Sequence, residues 1–160
     1  IAADLGGGSI VEAAVDDLEV FELCPANCGF ESYCSSSPNS TGLSAVMLAG
    51  GSASIGANDL TLVATGCPGG TIGIFAYAPD RASVPVGNGT LCLGSVIRLG
   101  VTSANFFGTA SLPFDNTAPP NPSGQVAVGE TWNFQFLYRD LAGGGALFNL
   151  TDGLGVTFCP

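Results

Sequence analysis

The side chains of this chain that can do chemistry are carboxylates, thiols and three arginines. Its 160 residues include 13 acidic residues, three basic ones (Arg81, Arg98 and Arg139) and no histidine. Without histidine, Ser–His–Asp and Cys–His mechanisms and His-ligated metals are excluded. Without lysine, Schiff-base chemistry and a P-loop are excluded as well. A net charge of −10 leaves no basic patch for phosphates or anionic lipids, so we expect no nucleic-acid partner. Because the usual catalytic side chains are missing, we also expect no enzyme activity.

A glycosidase is the one common hydrolase class that this composition still permits, because it needs only two carboxylates. The candidates to pair with an aspartate are Glu12, Glu22, Glu31 and Glu130. Their spacing singles out no pair.

Calcium is the only metal that the sequence suggests, since it takes carboxylate and carbonyl oxygens. No twelve-residue calcium-loop pattern is present, and single aspartates more often cap turns. We therefore predict no cofactor and keep calcium as an alternative. The candidate ligands are Asp16, Asp17, Asp115, Asp140 and Asp152.

The six cysteines predict disulfides in an oxidising compartment, and therefore a secreted or cell-surface protein. A zinc site that begins with Cys24 and Cys28 is the less favoured alternative. The sequence does not determine the connectivity. Three candidate bridges are Cys34–Cys159, Cys67–Cys92 and Cys24–Cys28.

Three glycosylation sequons begin at Asn39, Asn88 and Asn149. In a chain rich in Asn, Ser and Thr, sequons of this form arise readily by chance. Their form alone therefore does not predict a glycan.

Strand signals recur about every ten residues after residue 42, which predicts an all-β, antiparallel β-sandwich or jelly roll. The sequence Gly87-Asn88-Gly89 predicts a tight turn that leads into the strand at residues 91–93. Mean hydropathy is +0.44, which suggests more apolar surface than one subunit can bury. No apolar stretch is long enough to span a bilayer. The predicted strands cover residues 43–48, 60–64, 71–77, 91–93, 96–99, 110–114, 131–139 and 154–159.

Residues 131–139 give the clearest strand, with strict alternation of side-chain type. Trp132, Phe134, Phe136 and Tyr138 share one face, and the polar side chains between them share the other. We expect the aromatic face to be core rather than a sugar-binding platform. The amide-bearing face is expected to meet solvent or a partner.

The first segment can be read in two ways. Ser9 and Glu12 match a helix capping box, whereas residues 18–23 are rich in strand formers. A Gly6–Gly8 hinge precedes it, and the absence of an initial Met suggests a processed product. We divide the chain into an extension (1–23), a Cys-rich loop (24–42) and a sandwich domain (43–160).

A series of short motifs follows in a fixed order from Tyr33 to Pro160. They lie at residues 33–42, 58–62, 66–68, 84–94, 129–135, 138–140, 148–153 and 157–160. In this order they resemble the C-terminal module of large secreted proteins of planctomycetes and related marine bacteria. The resemblance implies a secreted bacterial β-sandwich and no assigned activity.

Residues 8–20 separately resemble the last strand of jelly-roll domains in secreted bacterial proteases and adhesins. That resemblance implies a strand, which could complete a neighbouring subunit by strand addition. The residues that would form this assembly strand are Ile10, Val11, Val15, Leu18, Val20 and Phe21.

Three functions follow as hypotheses. The first is a self-associating structural subunit of a filament, sheath or cell-surface layer. The second is a cell-surface, carbohydrate-binding or adhesion module of a larger secreted protein. The third is a glycoside hydrolase. The missing catalytic side chains and the high hydropathy favour the first.

Overall fold

The structure is a computed structural model that describes residues 28–160. The predicted assembly strand, Asp16, Asp17 and Cys24 lie outside this range. Two short 3₁₀ turns occur at Pro122–Gly124 and Leu141–Gly143. The strands are β1 (Gly29–Tyr33), β2 (Val46–Gly50), β3 (Thr61–Thr65), β4 (Ile72–Ala78), β5 (Arg81–Val86), β6 (Gly89–Leu93), β7 (Ile97–Ser103), β8 (Ala110–Pro113), β9 (Thr131–Arg139), β10 (Phe148–Leu150) and β11 (Gly153–Thr157).

The described chain is nearly all β, as predicted, and its strands pair in antiparallel fashion. A six-stranded sheet has the order β1-β11-β9-β4-β7, with β10 also paired to β9. A three-stranded sheet has the order β2-β3-β8, and β5 and β6 form a separate hairpin. The hairpin turns at Gly87, whose φ of 64° suits the first central position of a type II′ turn.

The two sheets share one apolar core, in a sandwich-like arrangement. The aromatic face of β9 is buried, with Phe134 and Phe136 fully inaccessible to solvent. These rings pack with Tyr77 of β4 and, across the core, with Leu62 of the small sheet. The prediction that the aromatic stripe is core is therefore confirmed.

The loop predicted at residues 24–42 contains a strand, so that prediction is wrong for Gly29–Tyr33. β1 pairs with β11 from Gly29, opposite Thr157, to Tyr33, opposite Gly153. Its partner lies at the far end of the chain, and no local pattern specifies such a pairing. The folded unit consequently includes residues 28–42 in addition to the predicted domain of residues 43–160.

Two disulfides cross-link the described chain, and neither matches a predicted bridge. Cys28 pairs with Cys159, and Cys34 pairs with Cys92. Because β1 runs antiparallel to β11, Cys28 at its start meets the end of β11, and Cys34 at its end reaches the hairpin. Cys67 is a buried free thiol in the described chain, so the prediction that it is disulfide-bonded is wrong. The disulfides themselves are confirmed and are typical of oxidising compartments.

Candidate functional site

The amide-bearing middle of the second face of β9 is buried, contrary to the expectation that it meets solvent or a partner. Asn133 is 2% exposed and Gln135 is fully buried, because the β5–β6 hairpin lies over them. Gln135 accepts a hydrogen bond from the Cys92 N–H and donates to the carbonyls of Thr90 and Thr151. These amides therefore hold the hairpin onto the sheet.

The hairpin covers only part of the outer face of the large sheet. Under it, Ala76 and Ala78 of β4 pack with Leu93 and are fully buried. Further along β4, beyond the hairpin, the face is open. Ile72 is 51% exposed and Val101 of β7 is 71% exposed.

We call this open region the apolar strip. Ile74 at its centre lies opposite Val101 on one side and Leu137 on the other. Two open grooves of about 330 and 270 Å³ run along it and share Ile74 and Leu137. The strip consists of Ile72, Ile74, Val101, Leu137 and Phe148.

Two arginines flank the apolar strip. Arg139 lines the first groove and Arg98 lines the second. Within residues 28–160, neither guanidinium group has an ion pair or a side-chain hydrogen bond, and no acidic side chain lines either groove. Arg81 differs, because it pairs with Glu31 and lies 4.0 Å from the centre of the Tyr33 ring.

A second exposed apolar feature is the Phe106–Phe107 pair, in the loop that follows β7. The two side chains are 88% and 85% exposed, and their ring centres are 5.6 Å apart. The loop is tied to the start of β4, since the Ala104 N–H donates to the Thr71 carbonyl. Sequence reasoning missed this pair. The available signal was a Phe-Phe dipeptide between the turn formers Asn105 and Gly108.

The described calcium candidates have structural partners. Asp152 accepts hydrogen bonds from the Met47 N–H at 2.6 Å and from the Ser32 hydroxyl, and so connects both sheets. Asp115 caps its own turn through the Thr117 N–H and hydroxyl, which hold the pKa of Asp115 below its usual value. In residues 28–160 no group of three or more His, Cys, Asp or Glu side chains could hold a metal.

Asp140 is the calcium candidate with an unused oxygen. It is 2% exposed, and its Oδ2 accepts a hydrogen bond from the Ser40 N–H at 2.9 Å. Its Oδ1 has no hydrogen-bond partner in the described chain. The adjoining groove of about 390 Å³ is lined by no second carboxylate. One carboxylate is well short of the six to eight oxygens that calcium takes.

The two described glutamates each have a local partner. Glu31 is on the β1 edge, where its hydrogen bond to Arg81 lowers its pKa. Glu130 accepts hydrogen bonds from the Trp132 Nε1–H at 2.9 Å and from the Ala127 N–H. Each carboxylate is thus occupied by a different local contact. Glu12 and Glu22 lie outside the described residues.

The sequon asparagines serve the fold through their side-chain amides. Asn149 is fully buried, and its amide donates to the Pro38 carbonyl. Asn39 is 7% exposed and donates to the Gly66 carbonyl at 2.7 Å. Asn88 donates to the Gly144 carbonyl. Asn39 and Asn149 each use the amide nitrogen in two hydrogen bonds, so a glycan on either nitrogen would displace one of them.

No family model, curated protein or solved structure matches this chain. Across residues 28–160, no helix has the length and hydropathy needed to cross a membrane. The candidate site is the apolar strip, flanked by two arginines that have no ion partner among residues 28–160.

Proposed function

We propose that this protein is a non-catalytic structural subunit that is secreted and self-associates into a filament, sheath or cell-surface layer. Copies are joined when residues 1–23 of one subunit add to the sheet of the next. The observation that carries the proposal is the apolar strip, where Val101 is 71% exposed while the hairpin-covered half of the same face is buried.

An open sheet edge beside the strip supports strand addition. β7 is the last strand of the large sheet, and its outer side has no strand partner among residues 28–160. Edge strands offer unpaired N–H and C=O groups to an incoming strand. A strand added there would extend the sheet and bring its own side chains next to Val101.

The chemistry of the described residues agrees with a structural role in the extracellular space. Two disulfides join β1 to the end of β11 and to the hairpin, and such bridges persist in oxidising environments. The carboxylates described above accept hydrogen bonds within turns or between strands. The resemblance to a C-terminal module of secreted bacterial proteins is consistent with the same location.

Light scattering and electron microscopy of the unreduced full-length chain test the proposal. We expect regular assemblies from the full chain and a folded monomer when residues 1–23 are deleted. The deletion retains every hydrogen bond and both disulfides described above, so near-ultraviolet circular dichroism should keep its native signal. A 15.9 kDa monomer at all concentrations, or unchanged assembly by the truncated chain, would contradict the proposal.

A second candidate is an adhesion module that binds a cell surface, and the Phe106–Phe107 pair is the observation that favours it. Large exposed apolar patches commonly mark interaction sites. The described loop provides no calcium cluster and no Tyr or Trp platform for a sugar, so an apolar protein partner fits the pair better than a glycan. Binding of the chain to intact cells that is lost in Phe106→Ala/Phe107→Ala and after protease treatment of the cells would favour this candidate. Retention on a glycan array, lost in the same variant, would indicate its carbohydrate-binding form instead.

A further inference from the structure

We propose that the apolar strip is the receptor for residues 10–20 of a neighbouring copy, and that Arg98 and Arg139 select this segment by its charge. The inference rests on the self-association in the proposed function. It places residues 10–20 on the open face of the sheet, over β4, as the alternative to addition at the β7 edge, and it names the residues that recognise the partner. Its occupant is a second copy of the same chain.

Charge is distributed unevenly between the two parts of the chain. Residues 1–27 contain no basic residue, whereas all three arginines lie in residues 28–160. Arg81 is already paired with Glu31, so Arg98 and Arg139 are the cations left without an ion partner in the described chain. The acidic residues of the first part are Asp4, Glu12, Asp16, Asp17, Glu19 and Glu22.

The apolar character of the two surfaces also matches. The strip presents Ile72 and Val101 to solvent between its two arginines. The segment alternates the same kinds of residue, with Ile10, Leu18 and Val20 around its acidic positions. Burial of both apolar surfaces would supply most of the affinity, and the charges would set register and partner choice.

The spacing of the charges fits an extended segment. Arg98 lies opposite Ala76 of β4, and Arg139 follows the residue that lies opposite Gly73. The two arginines are therefore about 13 Å apart along the strands and about 10 Å apart across them. Their direct separation is about 16 Å. In an extended segment Glu12 and Asp16 share one face about 13 Å apart, which matches the component along the strands, so a segment that runs along β4 between the two arginines would bring one carboxylate beside each of them.

That alternation provides a matched control within the segment. Asp17 and Glu19 have the opposite parity, so in an extended segment they would point away from the strip. Charge reversal at Glu12 and Asp16 should therefore weaken association, whereas the same reversal at Asp17 and Glu19 should not.

Sedimentation equilibrium of full-length variants tests whether these charges determine the strength of association. Arg98→Glu/Arg139→Glu and Glu12→Arg/Asp16→Arg should each raise the dissociation constant about tenfold or more, since each replaces attraction with repulsion. Combining the four substitutions should restore much of the loss. The dissociation constant of Asp17→Arg/Glu19→Arg should stay within about threefold of the wild-type value.

The apolar contribution of the strip is tested by Val101→Asp, which should weaken association. Leu48→Asp is the control, because it places the same charge at an exposed position on the small sheet.

A cross-linking experiment identifies the receptor directly. Benzoyl-phenylalanine in place of Leu18, which has the same parity as Glu12 and Asp16, is irradiated in an equal mixture of ¹⁴N- and ¹⁵N-labelled chains. Cross-links between light and heavy chains that map to β4, β7 or β9 support the proposal. Cross-links to the strip within one chain would overturn it, because the segment would then cover its own subunit.

The outcomes also separate this inference from the proposed function. Native assembly that persists unchanged in Arg98→Glu/Arg139→Glu and Val101→Asp would overturn the receptor assignment and leave self-association standing. A wild-type chain that never associates would overturn both.

Discussion

The side-chain amide of Gln135 holds the backbone of Cys92, whose N–H donates to Gln135 Oε1 at 2.9 Å. The same amide donates through Nε2 to the Thr151 carbonyl at 2.7 Å and the Thr90 carbonyl at 2.8 Å. One fully buried side chain thus satisfies three backbone groups of the hairpin and of the β10–β11 turn. The position of the hairpin determines which half of the outer face of the large sheet remains exposed.

Replacing Gln135 with Met should destabilise the protein. The substitution keeps the shape of the side chain but leaves three buried backbone groups without partners, which should cost about 3 kcal/mol. For a chain of this length that corresponds to a fall in Tm of about 6–12 °C. Gln125→Met is the control, because Gln125 is exposed and its loss should cost under about 1 kcal/mol. Equal thermal shifts for the two variants would refute the role given to Gln135.

The disulfide connectivity can be tested by mapping. Peptides from an unreduced digest should contain Cys28 linked to Cys159 and Cys34 linked to Cys92. Removing either bridge with paired Ser substitutions should lower the free energy of unfolding by about 2–4 kcal/mol, because the unfolded chain gains freedom. A peptide that links Cys67 to Cys92 would contradict the described fold.

The Cys67 thiol should be unreactive in the native protein. Cys67 is 5% exposed, and burial raises its pKa to about 12. Since the thiolate is the nucleophile, alkylation near neutral pH should be about a thousandfold slower than after unfolding. The measurement is the rate of thiol labelling in a Cys24→Ser variant, with and without guanidinium. Rapid labelling of the native variant would be inconsistent with the packing around Cys67.

Alkaline pH should destabilise the fold through the half-buried phenol of Tyr33 and the buried phenol of Tyr138. Burial raises the pKa of both Tyr33 and Tyr138 to about 12, above the ordinary value of 10.0. Between these values the unfolded chain releases phenol protons that the folded chain retains, so stability is lost as pH rises from about 10 to about 12. Guanidinium unfolding at stepped pH, with tyrosinate absorbance, measures this loss. Tyr33→Phe should reduce it, and an unchanged pH profile would contradict the burial of that phenol.

Phe134 and Phe107 should differ sharply when each is replaced by alanine. Phe134 is fully buried, so its truncation should cost about 3–5 kcal/mol in the free energy of unfolding. Phe107 is 85% exposed, and its truncation should change stability by under about 0.5 kcal/mol. Chemical denaturation of both variants measures the difference. A large cost at Phe107 would mean that its ring is buried in solution, for example between copies.

Much of the fold could be predicted from local pattern. The alternation of residues 131–139 predicts β9 with its observed bounds, and Gly87-Asn88-Gly89 predicts the tight turn that joins β5 to β6, although β5 itself is not predicted. Both depend on neighbouring residues only, since a strand has a period of two and a turn has its own backbone requirement. The absence of His and Lys limits function in the same direct way, because it depends on composition and not on how the chain folds.

The candidate site could not be predicted in the same way. Ile74 and Leu137 are apolar strand residues, and from the sequence they are indistinguishable from core. Whether such a residue is buried depends on what packs over its face. The hairpin covers Ala76 and leaves Ile72 open.

Composition and alternation were sufficient to predict the all-β class, the aromatic core of β9 and the use of disulfides, because these are local properties of the chain. They could not predict that β1 pairs with β11, that Cys34 meets Cys92, or that Asn133 and Gln135 lie beneath the hairpin. These contacts join segments that are distant along the chain, and they form only when the whole core packs. The alternation of side-chain types predicts which residues share a face of a strand. What covers each face is determined by how the rest of the chain packs against it.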